Sequence, residues 1–148
     1  DKGVELTSEF FSFEGELPWL LTREFSGAVF DIVSHPSMTD VLYVGAERTG
    51  VWKSSGFGSE WEQKSSDMVP TLINDIAQTT GDNPILYTAT TSGVYISNNN
   101  GSSWNTYSDT ATPRQATSIA TNSASNLVAY YGTDAGEIYA TFDGGESF

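Results

Sequence analysis

A short phrase returns along this chain at a nearly fixed interval. It reads Ser97-Asn-Asn-Asn-Gly-Ser-Ser-Trp104, then Thr141-Phe-Asp-Gly-Gly-Glu-Ser-Phe148, and in weaker form Ser54-Ser-Gly-Phe-Gly-Ser-Glu-Trp61. Each box has a hydroxyl residue, then Asp, Asn or Gly two places on, Gly four on and an aromatic seven on. The starts stand 43 and 44 residues apart. A period of that size belongs to repeat architectures, so the repeat is read before any single residue.

Other anchors keep the same phase. Ile32, Ile76 and Ile119 stand 21 or 22 residues before the boxes, and Tyr43, Tyr87 and Tyr130 follow each Ile by 11. Trp52, Tyr95 and Tyr139 precede each box by two. The phase also runs backwards: Ser12 to Trp19 has the same span, with Phe10 two residues before it and Glu14 at the acidic place. Glu16 fills its glycine place, which makes it a degenerate fourth box.

Within a unit the pattern is β. Runs 28–34, 72–78 and 116–121 are short and suited to a sheet near the core, and 41–46, 85–90 and 127–132 are rich in aromatic and β-branched residues. Runs 50–54, 93–97 and 137–141 alternate apolar and polar, which predicts half-buried strands. The box then makes a turn, and 61–65 and 104–108 form a polar outer strand. His35-Pro36, Gly81 to Pro84 and Asn122 to Asn126 break the runs. A weak helical period exists only in 14–25. Four strands per 43-residue unit is the layout of a β-propeller blade, so the fold class is all-β, a propeller segment of about three blades. The units divide as 1–26 (outer strands of a partial blade), 27–66, 67–109 and 110–148, the last without its final strand.

The box chemistry explains itself as a turn. Asn99 and Asp143 can accept main-chain N–H groups two residues on, while Gly58, Gly101 and Gly145 supply angles that side chains resist. Trp61, Trp104 and Phe148 then fold beneath, each ring worth roughly 2–3 kcal/mol when well buried. Asp143 and Glu146 raise the rival idea of a calcium loop. A hard cation needs several oxygen ligands, and the other boxes carry Asn99 and Gly56 instead, so no metal or other cofactor is expected.

The phrase S/T-x-D/N-x-G-x-x-W/F over residues 28–148 resembles the Asp-box, or BNR, repeat. That repeat occurs in sialidases, xyloglucanase-type glycoside hydrolases, sortilin-type receptors, photosystem assembly factors and many secreted bacterial proteins. The resemblance implies a propeller with boxes between third and fourth strands, away from the active face. It implies fold far more than activity.

On that opposite face the loops offer Glu47, Arg48 and Thr49; Thr90, Thr91 and Ser92; Asp134 and Ala135; Asp67 to Thr71; and Asp109 to Arg114. A glycosidase needs two carboxylates across a sugar ring, and Glu47 and Asp134 hold equivalent loop places. They are the candidate catalytic pair, against the plainer reading of solvated surface acids. Glu47, Arg48, Thr91, Asp109, Arg114 and Asp134 are the candidate ligand-binding set. Sialidases resemble one another in a trio of arginines with a Tyr nucleophile, whereas only Arg48 and Arg114 fall on suitable loops here. Residues 43–53 (YVGAERTGVWK) resemble the xyloglucanase stretch Y-x-x-T-D-V-G-G-x-Y-R, with Glu47 where that family has Asp and the TDVGG run broken. His35 is read as a surface turn residue, and Phe57, Tyr107 and Trp19 as blade packing or stacking platforms.

The chain has no Cys, which excludes disulfides and thiol chemistry. Six Lys or Arg against 19 Asp or Glu give a net charge of −13, which argues against nucleic acid and anionic membranes as partners. No apolar run approaches the roughly 18–20 residues that span a bilayer. Asn100-Gly-Ser102 fits a glycosylation sequon but lies inside a box. These features fit a secreted or cell-surface propeller that binds protein or carbohydrate, or serves as a scaffold. The rival is part of an extracellular glycoside hydrolase. Propellers have roughly four to eight blades and proteins avoid bare sheet edges, so either further blades of the same protein or a second copy is expected to complete the ring, pairing with 19–25 and 137–141.

Overall fold

The computed structural model describes residues 21–68, 71–107 and 114–148. The degenerate box at 12–19 with Phe10 and Trp19, and the loop residue Asp109, lie outside the described residues.

The described chain holds eleven strands in three antiparallel sheets and no helix. The first sheet runs β1 (Val29–Ser34), β2 (Leu42–Ala46), β3 (Gly50–Ser55) and β4 (Glu60–Gln63), in that spatial order. The second repeats it with β5 (Ile73–Gln78), β6 (Leu86–Thr90), β7 (Gly93–Ser97) and β8 (Asn105–Tyr107). The third holds β9 (Ala116–Thr121), β10 (Ala129–Thr133) and β11 (Ile138–Thr141). Each first strand is irregular at one place: the register shifts between Val29 and Asp31, between Ile73 and Asp75, and opposite Gly132 and Thr133. A bulge there re-aims the residue that follows.

The sheets stack through two apolar interfaces. Tyr43 and Val51 of the first sheet pack on Ile73, Ile76, Leu86, Tyr95 and Trp104 of the second. Tyr87, Ala89, Val94 and Ile96 of the second pack on Ala116, Ile119 and Ala129 of the third. The middle sheet is therefore covered on both faces. Alternation in 93–97 predicted a half-buried strand, yet β7 is buried at every residue. Its Tyr95 serves one interface while Val94 and Ile96 serve the other, so period two here distributes side chains between two cores.

His35 departs from its expected surface place. It is buried, and its Nδ1 accepts the main-chain N–H groups of Ser37 (3.2 Å) and Met38 (3.1 Å), closing the β1–β2 turn. Burial first, then Lys53, lowers its pKa. Residues 21–25 form no strand. Instead Phe25 sits edge-on to Trp52 and Trp61, at 5.6 and 5.4 Å between ring centroids.

Candidate functional site

The three boxes are one turn built three times. The first-position hydroxyl accepts the N–H of the fifth residue at 2.9 Å in each: Ser54 from Gly58, Ser97 from Gly101 and Thr141 from Gly145. The fourth and fifth residues both have positive φ, so Phe57 (58°) and Asn100 (58°) share the left-handed region with the glycines that follow them. At the third position Asn99 Oδ1 accepts Ser97 Oγ and Ser103 N, both at 2.9 Å, and Asp143 Oδ1 accepts Thr141 Oγ1 at 2.7 Å and Ser147 N at 3.0 Å. Hydrogen bonds from Ser147 and Thr141 hold the Asp143 carboxyl well below the ordinary carboxylate range. Gly56 has no such side chain, and there Ser59 Oγ donates to the Gly56 carbonyl at 2.7 Å. The closing aromatics do more than lie beneath their own turns. Trp104 is buried and its Nε1 donates to Lys64 O of the first sheet at 2.7 Å, while Trp61 and Phe148 are only half-buried.

The boxes follow the third strands, so the turns between second and third strands gather at the opposite end. Their first residues, Glu47, Thr91 and Asp134, each donate a main-chain N–H to the residue before the first strand: Ala28 at 2.8 Å, Leu72 at 3.1 Å and Gln115 at 3.2 Å. The side chains add to this closure. Glu47 Oε2 accepts Ala28 N at 3.3 Å, and Thr91 Oγ1 accepts Leu72 N at 3.2 Å and meets the Thr71 hydroxyl at 3.0 Å. The Glu47 carboxylate is thus engaged with main chain, and Asp134 is exposed on the third sheet.

Between the first and second sheets this end opens into a cavity of about 610 Å³ lined by Arg48, Gln63, Ser66, Met68, Thr71 and Thr91, among others. The Arg48 side chain is 70% exposed, with its Nε 3.8 Å from Glu47 Oε2. The wall is fixed: Gln63 Nε2 donates to Thr49 O (2.8 Å), Trp52 Nε1 to Thr49 Oγ1 (3.0 Å), and Ser65 Oγ accepts Val51 N (3.0 Å). Of the sequence candidates, then, Arg48 and Thr91 share one cleft. Glu47 stands beside it without lining it, and neither Asp134 nor Arg114 reaches it. Arg114 Nε pairs with Glu137 Oε2 at 3.1 Å on the third sheet. Asp67 also leaves the ligand face, because its Oδ2 accepts Trp104 N at 2.8 Å. Gln63 and Ser66 were missed; they sit on the polar outer strand and the link after it, where composition reads only as solvated surface.

A guanidinium among hydroxyls and amides, with Met68 on the wall, can hold a polar ligand by hydrogen bonds and charge. Among the described residues no cluster of three or more His, Asp or Glu side chains could hold a metal ion.

The chain resembles solved β-propellers. An ancestral GH74 enzyme aligns with a TM-score of 0.66 at 23% identity, over 82% of this chain and 18% of that one. YCF48 bound to D1 peptide aligns with a TM-score of 0.62 at 18% identity, over 82% of this chain and 38% of that one. The GH74 xyloglucanase from Xanthomonas campestris aligns with a TM-score of 0.56 at 14% identity, over 78% and 20%. This chain therefore spans well under half the length of each. No protein-family model and no curated protein matches it. The fold is an all-β propeller segment, two four-stranded blades and one of three strands.

Proposed function

We propose that this chain is an Asp-box propeller segment that binds protein or glycan through the cleft of Arg48, Gln63, Thr71 and Thr91, in a secreted or cell-surface protein. The observation that carries the reading is the use of Glu47. Its carboxylate accepts the Ala28 N–H, and among the described residues no second acid lines the cleft. A retaining or inverting glycosidase sets two carboxylates about 5–9.5 Å apart around a water or sugar carbon. Among the described residues the cleft is a hydrogen-bonding surface with one cation, Arg48. YCF48, a propeller of the same fold, has been solved with a peptide bound, which favours a protein ligand among the choices.

The alternative is part of a GH74-like glycoside hydrolase, supported by the fold likeness to those enzymes. Titration of the chain with xyloglucan oligosaccharides and an acidic peptide library separates the two. Binding by either, weakened about tenfold or more by Arg48→Ala or Thr91→Val, is the expected outcome. Release of reducing sugar that Glu47→Gln or Asp134→Asn abolishes would transfer the assignment to the hydrolase.

A further inference from the structure

One turn is made three times between first and second strands, and its opening residue differs in each. His35 N donates to Val41 O at 2.9 Å, Thr79 N to Ile85 O at 3.0 Å and Asn122 N to Val128 O at 3.0 Å. The side chain of that residue accepts a main-chain N–H each time. Thr79 Oγ1 takes Ile85 N and Asn122 Oδ1 takes Ala124 N, at 2.8 and 2.7 Å, and His35 Nδ1 takes Ser37 N and Met38 N. The first blade alone gives this task to a group that titrates near neutral pH.

The His35 turn also holds two boxes. Its Asp40 carbonyl accepts Phe57 N of the first box at 3.1 Å. Its ring stands beside Asn100 of the second, whose main-chain oxygen accepts the Tyr43 hydroxyl at 3.4 Å. Phe57 and Asn100 both have the left-handed φ of 58°, a conformation that side chains keep only with support from their neighbours.

The ring is 4% exposed, and its contacts fix its protonation. Nδ1 accepts two N–H groups and so carries no proton, which leaves the single proton of the neutral ring on Nε2. Nε2 is buried without a hydrogen-bond partner among the described residues, as is Asn100 Oδ1. A second proton can enter only at Nδ1, where it meets two donors and no acceptor. The surrounding charges do not rescue it. Burial and then Lys53 on β3 outweigh Asn100 and Asp82 of the turn before β6, so the pKa lies below 6.5. Tyr43 on β2 stays neutral, because burial pushes its hydroxyl up to about 12.

We propose that His35 is an acid-sensitive latch, whose protonation opens the β1–β2 turn and releases the hold of that turn on the first and second boxes. An open turn carries an ordinary imidazole that takes up a proton more readily than the closed one. The closed form is therefore fully favoured above 6.5 and loses ground as pH falls below it. The opposite end of the sheets is closed by groups that do not titrate, among them Thr91 N donating to Leu72 O at 3.1 Å.

The test is NMR of the whole chain between about pH 7.5 and pH 5, where an ordinary imidazole takes up its proton. His35 is the chain's single His, so its ring signals report this proton directly. The ring is expected to titrate below 6.5. Protection of the Ser37, Met38, Val41 and Phe57 amides, corrected for intrinsic exchange, should fall about tenfold, while Thr91 stays within about twofold. His35→Asn supplies the acceptor that Asn122 uses in the third blade and should make the protection of these amides independent of pH. A ring that titrates at or above 6.5, turn amides that do not respond, or an equal fall in His35→Asn overturns the proposal. A fall shared by Thr91 does so too, because the whole chain would then be unfolding. The comparisons within the unaltered chain decide the matter whether or not the variant folds.

Discussion

The Asp75 carboxylate bridges two blades: its Oδ2 accepts the Ile119 main-chain N–H of β9 at 2.9 Å. Its Oδ1 accepts the adjacent Ile76 N–H at 2.9 Å, and the Asp31 carboxyl from the first sheet stands near enough to raise its pKa. Strands β1, β2, β5, β6 and β9 carry no Lys or Arg. Their other titratable groups are Tyr43 and Tyr87, which burial pushes up to about 12. Two acids thus meet at the inner strands without a cation on those strands. Burial raises the Asp75 pKa most, and Asp31 adds to it against the pull of the two N–H groups.

A raised native pKa makes this site stabilising in its protonated form. The contribution is complete below the ordinary carboxylate value and is lost as pH rises through the raised one. Asp31→Asn replaces the repelling acid with an amide that can donate to Asp75 and still accept Ile32 N, as Asp31 does at 2.8 Å. The substitution should therefore stabilise the protein at pH 7 by about 1 kcal/mol, discounted for partial exposure. Its advantage should shrink as pH falls towards about 4. Melting curves of both proteins from pH 4 to 8 check this; an advantage independent of pH would contradict the repulsion between the two acids.

The box hydroxyl is a second lever. Ser97→Ala removes the acceptor of Gly101 N and the donor to Asn99 Oδ1. Leaving the buried Gly101 N–H unpaired should cost about 1–3 kcal/mol. Ser97→Thr should cost little, because Thr141 performs the same task in the third box. Urea unfolding of the two variants compares them, and equal losses would show that the hydroxyl does not anchor the turn.

The two internal interfaces also differ in a way that can be exchanged. A Cβ on Gly45 would lie 2.7 Å from Ile73 Cγ2, so that glycine clears the side chain packed on it. In the next interface the same two positions hold Ala89 and Ala116, both buried. Gly45→Ala alone should overpack and cost about 1–3 kcal/mol, and Ile73→Ala alone about 2–5 kcal/mol. The double variant recreates the Ala–Ala pairing and should be more stable than the sum by about 1 kcal/mol or more. A double-mutant cycle with no coupling would refute the steric link.

The repeat made the strands and boxes legible because period, turn glycines and aromatic anchors all point to one local answer. Strand Leu86–Thr90 falls inside the run 85–90 for that reason. What stayed hidden depends on neighbours outside the unit. His35 reads as a surface turn residue because nothing local shows that Asn100 of the following box will stand beside it. Glu47 reads as a loop acid because only the register places its carboxylate beside Ala28 N. The cleft is harder still. Its walls come from Arg48 and Gln63 on one sheet and Thr71 and Thr91 at the next, so no single unit contains it.

Trp104 is where the local and inter-blade readings part most clearly. Its indole sits in the core between first and second sheets, Nε1 donates to Lys64 O at 2.7 Å, and its main-chain N donates to Asp67 Oδ2 at 2.8 Å. The ring that ends the box therefore fastens the preceding blade's outer end as well. Trp104→Ala should cost about 3–5 kcal/mol through lost packing and the cavity left behind. Trp104→Phe keeps most apolar area but strips Lys64 O of this donor, for about 1 kcal/mol. Amide exchange locates the damage. Lys64 N, bonded to Val51 O at 2.8 Å, should exchange faster in both variants, together with the Gly101 amide in Trp104→Ala. Acceleration confined to 97–104 would mean that the ring serves only its own turn.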